Sequence, residues 1–104
     1  MKDSLRHFVS EFVGTFALVF IGGAAIIGVA ATNTEAALVT VALAHGLILA
    51  VLVSALMRIS GHFNPAVTIG FLAARRIDAM MAGVYIAAQV LAAILAAYAL
   101  KGLL

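Results

Sequence analysis

The chain of 104 residues has no cysteine, a single proline and only ten charged side chains. Without cysteine there can be no disulfide, no thiolate metal site and no cysteine nucleophile, and the redox compartment leaves no mark on the sequence. Charged residues make up 10% of the chain and hydrophobic ones 66%, whereas soluble proteins run at about 25% and about 45 to 50%. A soluble domain this small has too much surface to hide two thirds of its residues. A soluble enzyme is therefore not expected. The chain also lacks a nucleotide loop, a nucleophile with a base, and paired carboxylates within one segment.

The few charges fall at the edges of long uncharged runs. Lys2, Asp3, Arg6 and Glu11 lie at the start, Glu35 and Arg58 stand alone, Arg75, Arg76 and Asp78 cluster, and Lys101 lies near the end. Between them run residues 12–31 (20 residues), 36–57 (22), 59–74 (16) and 79–100 (22). Crossing a bilayer core of about 30 Å takes roughly 20 apolar residues, so three runs suffice and one does not. The first run exceeds the apolar core of a cleaved signal, about 7 to 15 residues, and is expected to stay as a helix. Spans are predicted at about 5–31, 35–58 and 78–100. Asp3 or Ser4 would cap the first and Asp78 the third, and the polar turn Thr32-Asn33-Thr34-Glu35 would return the second antiparallel to the first. Lys101 can snorkel to the interface.

Five of the six cations lie on the side of the N-terminus, which predicts a cytoplasmic N-terminus. Topology also accounts for the net charge of +2, and nucleic-acid binding is not expected. Gly14, Gly22, Gly23 and Gly28, with the alanines of the third span, read as close-packing positions.

The short run is the informative one. Ser60, Gly61, His62, Asn64 and Pro65 crowd its first half. Pro65 disfavours helix at Asn64 but suits the first position of a new helix, with Asn64 as its cap. A helix over 65–74 would be about 15 Å long, half a membrane, followed by Arg75 and Arg76. The simplest path for residues 59–76 is to dip in from one side and return to it. Irregular backbone at mid-depth survives only when buried in protein or lining a watery cavity, so the segment points to a pore or substrate site. The helix N-terminus would place partial positive charge there, repelling cations while Asn64 binds a neutral solute. The alternative, a surface loop with an interfacial helix, needs a charged face that Ala66-Val67-Thr68-Ile69-Gly70-Phe71-Leu72-Ala73 does not provide.

Ser60-Gly61-His62-Phe63-Asn64-Pro65-Ala66-Val67-Thr68 resembles the first Asn-Pro-Ala signature of the aquaporin and glycerol-facilitator family, the major intrinsic proteins. Glu11-Phe12-Val13-Gly14-Thr15-Phe16 resembles that family's first-helix signature, and Tyr85 with Gln89 its third-helix pattern. The resemblance implies an all-α membrane protein of three transmembrane helices and one re-entrant half-helix. The whole of residues 1–104 would then be one of the two inverted repeats that meet at the membrane centre. Val67 stands where second repeats carry an arginine, so the likeness is to the first half. The loop before Asn64 departs from the family pattern in being one residue shorter.

The same resemblance implies site residues. Asn64 would donate its amide to passing water, Pro65 and Ala66 would contact the other repeat, and the carbonyls of Gly61, His62 and Phe63 would accept along the path. Glu11 would brace the re-entrant loop through His62 or nearby backbone N–H groups. The alternative for Glu11 is that it only reaches the interface. His45 falls where the second helix contributes to the outer constriction; the alternative is a packing histidine. Neither His45 nor His62 has a ligand-spaced partner, so no metal, haem or other cofactor is expected. Gln89 reads as an interhelical hydrogen bonder or a pore-side group.

The expected activity is passive transport of water and small uncharged solutes across a lipid bilayer, at the plasma membrane, completed by a second half or another copy. Family members form tetramers of complete pores. The charge bias argues against two antiparallel copies, which leaves a first-half fragment or split partner; a non-conducting membrane subunit is the alternative.

Overall fold

A computed structural model describes residues 2–104 and shows four helices: α1 (Lys2–Val29), α2 (Glu35–Leu56), α3 (Pro65–Ala73) and α4 (Ala79–Leu103). Polar residues set most of the boundaries. Thr34 accepts the Ala37 N–H at 3.1 Å and Asp78 the Met81 N–H at 2.7 Å, each satisfying one of the donors a helix start leaves orphaned. The expected cap of α1 at Asp3 or Ser4 is incorrect, because the helix already runs from Lys2. Asp3 sits in the first turn, where its charge complements the dipole, and the Ser4 hydroxyl points to Met81 Sδ at 3.6 Å. At its other end α1 stops at Val29, two residues short of the expected limit. The Thr32 hydroxyl and N–H both bond the Val29 carbonyl, at 2.8 and 3.0 Å, and Asn33 turns left-handed with φ 45°. α2 stops at Leu56, whose carbonyl accepts the N–H groups of Ile59 and Ser60, both at 2.9 Å.

α1, α2 and α4 are long and apolar enough to cross a membrane, and α3, with nine residues, is not. The chain is thus an all-α membrane protein of three spanning helices and one half-helix. α1 and α4 run parallel in constant register. Ser4 meets Met81, His7 meets Tyr85, Glu11 meets Gln89 and Gly23 faces Leu100, offsets of 77 or 78 residues over about 28 Å of helix. The α4 side of this seam is Ala82, Tyr85, Gln89, Ala92 and Ala96, all buried and three or four residues apart, the spacing of one helix face. Alanine lets the backbones approach where association depends on van der Waals contact.

α2 returns antiparallel on the other side of α1, with Gly22 against His45 and Ser10 against Ser60. Among the described residues its backbone approaches that of α1, and the α3 backbone approaches that of α4, so α1 and α4 form the centre on which the other two pack. Leu52 is the only buried residue of α2.

Candidate functional site

The segment between α2 and α3 has no regular structure, and its backbone is satisfied from other elements. Ser60 offers its carbonyl to the Ser10 hydroxyl at 3.2 Å. The N–H groups of His62 and Phe63 donate to the two carboxyl oxygens of Glu11, at 3.1 and 2.7 Å. Phe63 has φ 57°, a conformation in which a bulky residue is a genuine outlier and which costs about 1 to 3 kcal/mol. Its ring is 2% exposed and fills a socket above Gly14, where a Cβ would overlap the ring. Burying a Phe side chain contributes about 1.5 to 3 kcal/mol, enough with the Glu11 bonds to hold the strained backbone.

Glu11 is fully buried and anchors a wider network. Its Oε1 also accepts from Gln89 Nε2 at 2.7 Å, and the same nitrogen donates to Thr68 Oγ1 at 2.9 Å. Thr68 pairs in turn with His62 Nδ1 at 2.9 Å. The His62 ring stacks on Phe71 with centroids 4.3 Å apart and leans on Tyr85 at 4.8 Å, while the Tyr85 hydroxyl bonds His7 Nδ1. α1, the irregular segment, α3 and α4 are thereby joined through Glu11, Gln89 and Thr68, which have almost no exposed surface, with half-buried His62 at the edge.

At the head of α3, Asn64 Oδ1 accepts the Ala66 N–H at 2.8 Å. The cap consumes the oxygen and leaves both amide N–H donors free. At its foot, Arg76 N–H bonds the Phe71 carbonyl at 2.8 Å and Arg75 N–H the Leu72 carbonyl at 3.0 Å. This is a Schellman ending, with Arg75 at φ 59° in the place glycine usually takes.

The predicted site residues divide between two places. Asn64, Pro65, Phe63 and His45 line one groove of about 580 Å³, along with Thr15 and Gln89 and an apolar remainder. The His45 Nδ1–H donates to the Val41 carbonyl at 2.8 Å, which fixes the tautomer and leaves Nε2 above Gly22. Gly61, His62 and Ala66 do not line that groove: Gly61 lies against Met57, His62 against Phe71 and Tyr85, and Ala66 is exposed. Among the described residues, the carbonyls of Gly61, His62 and Phe63 accept no hydrogen bond. Buried Thr15 Oγ1 and Gln89 Oε1 also have no partner, on the wall of the groove. Thr68, fully buried between two other polar side chains, has no counterpart among the expected site residues; only its place four residues after Asn64, inside the helix, hints at it. Gly14 and Gly22 are legible as packing positions, but which ring each one admits is not.

Over residues 1–104 the chain matches the profile described as Major intrinsic protein. The chain belongs to the major intrinsic protein family. A glycerol uptake facilitator protein-like 6 from Lactiplantibacillus plantarum is 44% identical over 98 residues, covering 93% of this chain and 43% of its own length. A probable aquaporin TIP3-2 from Arabidopsis thaliana is 42% identical, covering 95% of this chain and 41% of its own length. An aquaporin Z from Photorhabdus laumondii is 44% identical, with coverages of 89% and 41%. This major intrinsic protein chain therefore spans less than half the length of the curated relatives it matches.

Proposed function

We propose that the chain is one half of a passive channel for water and small uncharged solutes, completed by a second repeat or another copy. The observation that carries this reading is the groove shared by Asn64 and His45, in which the cap geometry leaves the Asn64 amide with donors only. Donors at the head of a half-helix, opposite an otherwise apolar wall, suit a neutral solute that exchanges hydrogen bonds as it passes. The α3 dipole adds partial positive charge at the same point and disfavours cations. The free carbonyl of Phe63 supplies an acceptor beside this groove, those of Gly61 and His62, outside its lining, would extend the acceptors beyond it, and Pro65 and Ala66 present the surface that a second half-helix would meet. Glu11 braces the loop and takes no part in the passage. The reading also has a cytoplasmic N-terminus, on the bias of five cations among six, in a cell membrane, and complete pores grouped as tetramers.

Proteoliposomes under an osmotic step test it. Those holding this chain together with a second-half chain bearing an Asn-Pro-Ala-Arg repeat should shrink faster than empty ones, and Asn64→Asp should abolish the gain. Gain with this chain alone would favour pairing of two copies. If neither preparation gains despite verified insertion, the chain is a non-conducting subunit and the proposal falls.

A further inference from the structure

A second groove lies away from the one containing Asn64, where the start of α1 meets the end of α2. It measures about 380 Å³ and is lined by Leu5, Val9, Val13, Leu56 and Ile59, with Arg6 at its mouth. The fifth α1 residue on this wall, Ser10, turns its hydroxyl away to the Ser60 carbonyl, so the lining is almost wholly apolar. From Leu5 to Val13 the groove runs about 12 Å along α1, close to the roughly 15 Å depth of one leaflet. Val9 and Val13 form an exposed ridge on its outer edge, and beyond the ridge lies a smaller apolar recess of about 200 Å³ against Phe8 and Phe12. Arg6 is exposed, and among the described residues it makes no hydrogen bond or ion pair with any side chain, although Asp3 lies one turn away. Lys2, one turn before it, and Arg58, next in sequence to the lining residue Ile59, add positive charge at the same end of the helix pair.

We infer that this groove binds an anionic diacyl phospholipid, with its phosphate on Arg6 and its acyl chains straddling the ridge of Val9 and Val13. The two apolar channels match two chains, and the longer one, about 12 Å along α1, approaches the depth of one leaflet. Basic groups at the membrane edge of interhelical pockets recognise anionic headgroups. The site is independent of whether the chain conducts.

Native mass spectrometry of the full chain released from detergent tests the site, with phosphatidylglycerol and phosphatidylcholine of equal chain length as probes. One phosphatidylglycerol should be retained in preference to phosphatidylcholine. Arg6→Gln should lower its retention about five-fold, the loss expected for one cation near a charged lipid surface, while Lys101→Gln should not. Val9→Trp, which fills the groove and leaves Arg6 in place, should lower retention of both lipids. Equal retention of the two lipids would overturn the proposal, as would an unchanged Arg6→Gln. So would a protein dimer that forms as lipid is removed and is lost in Val9→Trp, since the groove would then be covered by a second copy.

Discussion

The turn at Asn33 and the segment at Phe63 each hold a left-handed residue that is not glycine, as the end of α3 does at Arg75, and the first two do it by opposite means. In the turn from residue 30 to 34, Asn33 adopts φ 45° among exposed neighbours, and the bonds that close the turn come from Thr32 and Thr34, next to it in sequence. Between residues 57 and 64, Phe63 adopts φ 57° while buried, and the groups that hold it come from Glu11 and Gly14, about 50 residues away. Asparagine tolerates that conformation by itself; phenylalanine does so only because its surroundings compel it. The first segment is a local turn, and the second depends on side-chain and packing partners supplied by α1.

The contrast can be broken most severely at Glu11. Replacing it with alanine strips the acceptor from three N–H donors, those of His62, Phe63 and Gln89. Each buried donor left unsatisfied costs about 1 to 3 kcal/mol, so Glu11→Ala should lower stability in mixed-micelle unfolding by several kcal/mol. It should also raise maleimide labelling of a cysteine placed at buried Ser60. Gly14→Val drives a side chain into the Phe63 ring, and overpacking of this kind costs about 1 to 3 kcal/mol; the same labelling should rise, by less. Arg75→Gly acts in the other direction, since removing a Cβ from a left-handed position relieves about 1 kcal/mol, and the unfolding midpoint should move up. The smallest change is expected for Asn33→Ala, a loss below about 1 kcal/mol with no change in labelling at residue 60. If the Asn33 variant exposed residue 60 as strongly as the Glu11 variant does, the two segments would not be independent and the comparison would fail.

Much of the architecture was legible because its causes are local. The charge gaps mark three long helices, and Asn64-Pro65 marks the start of the short one, since capping and the missing proline N–H act within a few residues. The same logic failed at the start of α1, where Asp3 and Ser4 both look like caps, and the helix nevertheless begins before them. The site is less legible. Phe63 carries no sign of its left-handed backbone, because that depends on a socket opened by Gly14 in another helix. Thr68 looks like any polar residue on a short helix until His62 and Gln89 converge on it. His45 and Asn64 are 19 residues apart, and only the packing of α2 and α4 on α1 brings them to one groove.

The distance in sequence between Glu11 and its partners also sets a schedule for biogenesis. The carboxyl leaves the ribosome 51 residues ahead of the first backbone N–H that satisfies it and 78 ahead of Gln89. At about 5 to 20 residues per second, that is a wait of roughly 3 to 10 seconds for the first and longer for the second. Throughout that time α1 carries a polar group that the hydrocarbon phase would penalise by several kcal/mol. α1 must therefore remain beside water or an insertion factor until α4 arrives, so the burial of Glu11 comes late in the assembly of these four helices.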